Sequence, residues 1–266
     1  MRASSIKKEK VVILAGGMGT RLTEQTEVRP KPMVEVGGRP LLWHLMKHYS
    51  SFGFGEFVLA LGYKGDFIKR WFIDYAALSG SKTLELHDGT VTSHGKDEEH
   101  EDWTLHLMDT GPSTMTGGRL RRLGPLLASG GTFLLTYGDG LSNVDIAKLL
   151  AFHKAHGKLA TVTAVRPPAR FGGLVFEGDQ IKEFTEKPQI GEGWINGGFM
   201  VLEPGVIEYL KDDRAVLEAD ALEALARDGQ LMAYRHEDFW QCVDTLRELR
   251  LLESLWDSGK PPWKSW

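Results

Sequence analysis

The sequence predicts an α/β fold built on a mixed, mostly parallel sheet flanked by helices, and three observations carry that prediction. Short apolar runs of strand length alternate with amphipathic helical segments, the first run (Val11–Leu14) empties into a glycine turn, and beyond Ala160 the strands shorten. Strand–helix–strand alternation means βαβ units, whose crossovers favour parallel pairing. The shorter strands point to a small antiparallel region in the second half.

Each element has its own signal. After the glycine turn, Pro40 stands at a helix start, and Leu41, Leu42, Leu45, Met46 and Tyr49 form one apolar face before Gly53 stops the helix. Residues 56–63 read as a buried strand and 66–78 as a second amphipathic helix. Residues 83–109 read as extended chain interrupted by a polar loop at 88–102. The acidic cluster in that loop (Asp97, Glu98, Glu99, Glu101, Asp102) suits a solvated insertion or, alternatively, an interface. A helix is expected over 117–128, a strand over 132–137 and a helix over 144–157. Strands follow at Ala160–Val165, 174–176, 181–185 and 199–202, with helices at 204–210, 216–228 and 245–256. Neither an internal repeat nor a low-complexity linker interrupts the chain, so residues 11–266 read as one domain after a loose extension at 1–10.

The 266 residues suffice for a substantial core, and 42% apolar with 26% charged residues is ordinary for a globular protein. A net charge of −4 argues against a nucleic-acid surface, so any phosphate recognition must be local. The single cysteine, Cys242, precludes an internal disulfide and suits a reducing compartment. No stretch approaches the ~18 apolar residues of a membrane span, and the first ten residues are polar. A cytoplasmic protein is expected.

The most informative stretch is VVILAGGMGTRLTEQTEVRPKP, residues 11–32. A buried strand ending at Leu14 and Ala15 opens into Gly16, Gly17 and Gly19, followed by Thr20 and Arg21. Glycines let a backbone approach an anion closely and aim its N–H groups at phosphate. The spacing matches neither G-x-x-x-x-G-K-[ST] nor G-x-G-x-x-G, so a P-loop and a dinucleotide fingerprint are both excluded. By itself the cluster could be a tight structural turn. The Arg-Pro-Lys-Pro block at 29–32 weighs against that, because flanking prolines stiffen the chain and fix the reach of Lys31.

Asp139 lies in Tyr-Gly-Asp-Gly at the end of an apolar strand, where open α/β sheets collect ligands. It suits a metal ligand or the cap of a turn. Asp244 follows Phe-Trp-Gln-Cys-Val and precedes the last helix, so it is a second metal candidate or an N-cap; the roles are compatible. Mg²⁺ needs only a few carboxylates when substrate phosphates complete its shell. In the second half, Lys187 is held by Pro188 and could neutralise a separate phosphate, while Glu186 and Asn196 suit a polyol. Trp103, Trp240, Trp256, Trp263 and Trp266 read as core or interface filler, and Cys242 as a buried apolar residue rather than a nucleophile.

With these residues in place, the chain resembles the sugar-phosphate nucleotidyltransferases from Val11 to Trp266, and most closely their glucose-1-phosphate cytidylyltransferase subgroup. The segments VILAGGMGTRL, RPKPMVEVGGRPLLWHLMK, LGYKGDFIK, MDTGPSTMTGGRL, TYGDGLSNVDI, FGGL, EKP, INGGFMVLEP, FWQCVDTLRE and GKPPWKSW carry the resemblance. It implies a Rossmann-like, GT-A-like sheet with a nucleotide half at about 11–158 and a sugar-phosphate half at about 159–266. The implied reaction is direct attack of glucose 1-phosphate on the α-phosphorus of CTP, releasing pyrophosphate and CDP-glucose. On the matching positions, Leu14, Ala15, Gly16, Gly17, Gly19, Thr20, Arg21 and Lys31 would hold the triphosphate, with Arg21 and Lys31 stabilising its charge. The segment Thr116–Arg119, with Gly117, Gly118 and Arg119, would face the base. Tyr137, Gly173, Glu186, Lys187 and Asn196 would take the sugar phosphate, and Asp139 and Asp244 would hold Mg²⁺. Cys242 stands where the family usually has proline, and Asn143 replaces a common aspartate. The 88–102 loop matches an insertion that implies a homo-oligomer, a hexamer being one form. Two alternatives stay open: the same chemistry with another nucleotide or sugar 1-phosphate, and a silent sugar-nucleotide-sensing subunit.

Overall fold

The computed structural model describes residues 7–17, 28–94, 101–167, 173–177, 180–185 and 193–266. In chain order, β1 (Val11–Leu14) leads to a short 3₁₀ turn, Lys31–Met33, and a tight hairpin of β2 (Glu35–Val36) and β3 (Arg39–Pro40). Helix α1 (Leu41–Ser51), β4 (Glu56–Leu61), α2 (Gly65–Leu78), β5 (Ser81–Glu85), β6 (Thr90–His94) and β7 (Thr104–Asp109) follow. Next come α3 (Thr116–Arg122), α4 (Gly124–Leu127), β8 (Phe133–Tyr137), β9 (Gly140–Ser142), α5 (Ile146–His156) and β10 (Ala160–Val165). The chain continues through β11 (Gly173–Glu177), β12 (Gln180–Thr185), β13 (Ile195–Leu202), a 3₁₀ segment Pro204–Tyr209 and a π-helical turn Leu217–Leu222. It closes with α6 (Glu223–Arg227), β14 (Leu231–His236), β15 (Trp240–Cys242) and α7 (Leu246–Asp257).

Seven of these strands form one sheet in the order β14-β10-β13-β8-β1-β4-β7. Strands β7, β4, β1 and β8 run parallel, β13 runs against β8 and β10, and β10 and β14 are parallel. The sheet separates two cores. Val11 and Ile13 of β1 pack with Phe57 and Leu59 on one face, under α1, α5 and Trp263. Val12 and Leu14 pack with Val58 and Ala60 on the other, under α3 and the 206–225 segment. Burial on both faces is why these strands read as unbroken apolar runs.

Several expectations change. The 88–102 stretch is not all loop, because β6 falls inside it and pairs with β5. Glu101 from its acidic cluster is drawn inward, accepting from the Tyr75 hydroxyl at 2.7 Å and pairing with Lys47 at 3.4 Å. The 117–128 helix is interrupted at Leu123 and restarts with Pro125 in its first turn, where a missing N–H costs nothing. The 204–210 helix is a 3₁₀ segment, and 216–228 splits into a π turn and α6. Nor is all of the 1–10 extension loose. Lys7 N donates to Gly53 O at 2.9 Å, Lys10 meets Glu56 at 2.9 Å and Glu9 meets Lys154 at 2.7 Å. Among the described residues no helix is long and apolar enough to cross a membrane.

Candidate active site

The parallel register of β1 and β8 sets Leu14 beside Tyr137, so the two glycine turns emerge side by side at the carboxyl edge of the sheet. Gly138 N donates to Leu14 O at 3.2 Å. A Cβ on Gly138 would lie 2.8 Å from Pro32 Cγ, so glycine there lets the Lys31–Met33 turn close over the strand ends. Asp244 arrives by a different route. β15 pairs antiparallel with β9, opposing Cys242 to Gly140, and Val243 N donates to Asp139 O at 2.9 Å. The two aspartates are thereby brought together.

Between them lies Lys31. Its Nζ donates to Asp139 Oδ2 and to Asp244 Oδ1, each at 2.6 Å. Burial by itself would depress this ammonium's pKa, but the charges and hydrogen bonds of the two carboxylates outweigh it and the net shift is upward. Two carboxylate oxygens converging on one cation fit the demands of Mg²⁺, with the ammonium as stand-in. Asp244 is not the cap of the last helix. Thr245 caps α7 in a box with Glu248, and the Asp244 carboxylate accepts from Lys31.

Two cavities meet at this cluster. One, of about 410 Å³, is bounded by Leu14, Ala15, Gly16 and Gly17, by Lys31, and by the 112–115 loop with Thr116 at the start of α3. The other, of about 270 Å³, is bounded by Asn196, Gly197, Trp240, Cys242 and Asp244. Tyr137 and Asp139 belong to both walls.

Of the candidate residues, Leu14, Ala15, Gly16, Gly17, Lys31, Tyr137, Asp139, Asn196 and Asp244 converge here. Gly19, Thr20, Arg21, Glu186 and Lys187 lie outside the described residues. Gly173 pairs with Thr185 in the β11–β12 hairpin. At Gly117 a Cβ would lie 2.7 Å from Leu210 Cδ2, and at Gly118 2.3 Å from Asp213 O. These glycines permit α3 to pack closely on the 210–215 segment. Arg119 borders the larger cavity, but its guanidinium is committed to the protein. It donates to Gly16 O at 3.0 Å, Leu61 O at 3.0 Å, Thr110 Oγ1 at 2.8 Å and Gly111 O at 2.7 Å. It ties together the ends of β1, β4 and β7.

Two residues escaped the sequence reading. Trp240, taken as filler, walls the smaller cavity and donates Nε1–H to Gly197 O at 2.8 Å. Glu218, which no local signal marks, reaches the Tyr137 hydroxyl from the π turn. Cys242 is half-buried, and burial followed by the charge of Asp244 pushes its thiol up to about 11, which disfavours a nucleophile.

Residues 10–93 and 114–255 match the family model described as nucleotidyl transferase. The chain belongs to that family. A glucose-1-phosphate cytidylyltransferase of Salmonella typhi is 49% identical over 97% of this chain and 99% of its own length. A probable glucose-1-phosphate cytidylyltransferase of Bacillus subtilis is 43% identical over 97% of this chain and 100% of its own. Among solved structures, HddC from Yersinia pseudotuberculosis superposes with a TM-score of 0.67 at 23% identity, covering 93% of this chain and 99% of that one. At that identity it shows the shared nucleotidyltransferase fold. The sheet, the strand-end site and the family agree on an enzyme of nucleotidyl transfer.

Proposed function

We propose that this nucleotidyltransferase joins CTP and glucose 1-phosphate to give CDP-glucose and pyrophosphate. The observation that carries the reading is the pair of cavities sharing Asp139 and Tyr137 as a common wall, the arrangement an in-line displacement between two bound substrates requires. The nucleotide takes the larger cavity, its phosphates against the Gly16–Gly17 backbone and Lys31, and Arg21 is proposed to add charge for the same triphosphate. The sugar phosphate takes the smaller one, beside Tyr137 and Asn196, and Glu186 and Lys187 are proposed to bind the same substrate. The choice of CTP and glucose follows the near-full-length relatives of that name.

The sugar phosphate's own oxygen attacks the α-phosphorus, forming the new P–O bond while the bond to the β-phosphate oxygen breaks. The attacking group is already anionic near neutral pH, since such phosphates lose their second proton near pH 6; no protein base is needed. Asp139 and Asp244 would hold Mg²⁺, which when bound would supply charge neutralisation for the polyphosphate. Lys31, fixed between Pro30 and Pro32, places its ammonium where phosphate charge develops. The enzyme is further proposed to act as a homo-oligomer, with Leu84, Leu86 and Val91 exposed on the β5–β6 hairpin for subunit contacts; light scattering tests this. Pyrophosphate release, measured with each NTP against a panel of sugar 1-phosphates, tests the reaction. CTP with glucose 1-phosphate should give the highest kcat/KM, and a clear preference for another pair would replace this assignment.

A further inference from the structure

Behind the wall between the cavities runs a hydrogen-bond chain whose direction is set at both ends. At one end Leu217 N donates to Thr116 Oγ1 at 2.9 Å, so the threonine's own proton goes to Glu218 Oε2, 2.9 Å away. At the other, Gly198 N donates to Asn196 Oδ1 at 2.9 Å. That turns the amide so that Nδ2 donates to the Tyr137 hydroxyl at 3.4 Å. The hydroxyl in turn donates to Glu218 Oε1. A backbone N–H can only donate and an ionised carboxylate can only accept, so every proton in the chain points towards Glu218. The tyrosine has one proton, and it is committed.

From this polarity we infer that Glu218 is a positioning residue that makes Tyr137 a pure hydrogen-bond acceptor towards the smaller cavity, so that the sugar phosphate must present a hydroxyl donor there. The inference deepens the functional reading above and rests on it. Tyr137 borders that cavity and is half-buried, so a lone pair not used by Asn196 can receive a substrate O–H. Glu218 itself lies outside both cavity linings and acts through the phenol. Its position on a π-helical turn, where Glu223 N donates to Glu218 O, is a departure from regular helix of the kind often retained at functional sites.

The substitution that separates this role from simple support is Glu218→Gln. Thr116 still needs an acceptor, so the amide oxygen faces it and the amide NH₂ faces Tyr137. The tyrosine then accepts from Gln and turns its own proton towards the cavity. Its polarity is inverted with almost no change of shape. Pyrophosphate release is measured for wild type, Glu218→Gln and Tyr137→Phe with glucose 1-phosphate and with its deoxy and deoxyfluoro analogues at each ring hydroxyl in turn. A fluorine can accept weakly but has no proton to give.

At one ring position the wild type should lose about tenfold or more in kcat/KM with both analogues. The loss should fall mainly on KM for the sugar phosphate and leave KM for CTP nearly unchanged. Glu218→Gln should recover the fluoro analogue relative to the deoxy one at that same position, and Tyr137→Phe should treat hydroxyl, fluorine and hydrogen alike. A merely structural role lowers all substrates together and leaves these ratios unmoved. Fluoro-to-hydroxyl ratios that are equal in wild type and Glu218→Gln at every position would overturn the inference. If Glu218→Gln does not fold, Tyr137→Phe decides, since retained hydroxyl preference at that position also overturns it. Absence of wild-type turnover with CTP and glucose 1-phosphate would instead mark failure of the functional reading. The analogue series would then be run on whichever sugar phosphate the enzyme uses.

Discussion

Asp139 and Asp244 hold the same ammonium, that of Lys31, at 2.6 Å each, although one ends a central strand and the other precedes the last helix. Under the proposed function, a divalent cation taking these oxygens would displace the lysine, and the displaced ammonium would meet nucleotide phosphate.

Metal affinity should therefore respond to Lys31. In nucleotide-free enzyme, Lys31→Met removes a cation in direct contact with both carboxylates, and Mn²⁺ binding followed by electron paramagnetic resonance should tighten by roughly tenfold or more. The same variant should lose about a hundredfold in kcat, the usual cost of one preorganised charge donor. Unchanged Mn²⁺ affinity would show that the lysine and the metal do not share these oxygens.

Asp244 and Thr245 are adjacent but should separate cleanly. Asp244→Asn removes a proposed metal ligand, so turnover should fall by orders of magnitude while thermal stability stays near wild type. Thr245→Ala removes the side chain that caps α7 and should cost about 1 kcal/mol of stability with little effect on turnover. Denaturant titration beside steady-state kinetics checks both. Normal turnover in Asp244→Asn would remove the aspartate from the metal site.

Gly118→Ala should be severe because the new methyl meets backbone rather than a movable side chain. Its Cβ would lie 2.3 Å from Asp213 O, and a shift of that segment costs about 1–3 kcal/mol. The displaced segment also carries Glu218, so KM for the sugar phosphate should rise together with the loss of stability. A Tm within a degree of wild type would contradict the packing role.

Acid should destabilise the fold through His44 and His48. Both are buried, at 0% and 2% exposed, and burial pulls each down to about 4 from an ordinary 6.5. His44 Nε2 meets Val36 O at 2.8 Å and its Nδ1 receives the Trp263 indole N–H at 3.4 Å, leaving no room for a second proton. Between pH 4 and 6.5 the unfolded chain binds more protons than the folded one, so stability rises with pH in that window. It is fully present above 6.5 and is lost as pH falls towards 4, by an amount on the order of a few kcal/mol for the pair. Urea midpoints from pH 7 down to pH 4.5 should fall progressively, and His44→Gln should flatten the slope.

What could be read from the sequence alone was what local chemistry decides. The apolar run Val11–Leu14, the face of α1, the boundaries of β10 and the glycine turn opening on a strand end each depend on residues close in the chain. So does the placing of Asp139 at a carboxyl end, and the ordered motifs were enough to recognise the family. Tertiary structure decided the rest, because those properties are set by partners far along the chain. Asp244 read as a cap or a ligand, and only the β15–β9 pairing laid it beside Asp139, with Thr245 as the cap. Arg119 has the charge of a ligand contact, and only the surrounding carbonyls of Gly16, Leu61 and Gly111 show that it is spent on strand ends. β14 escaped notice because half-exposed pairing along β10 leaves no continuous apolar run. Glu218 carried no signal at all. A carboxylate gains a role only from the donors that converge on it, and those of Glu218 come from Thr116 and Tyr137, on two other elements of the fold.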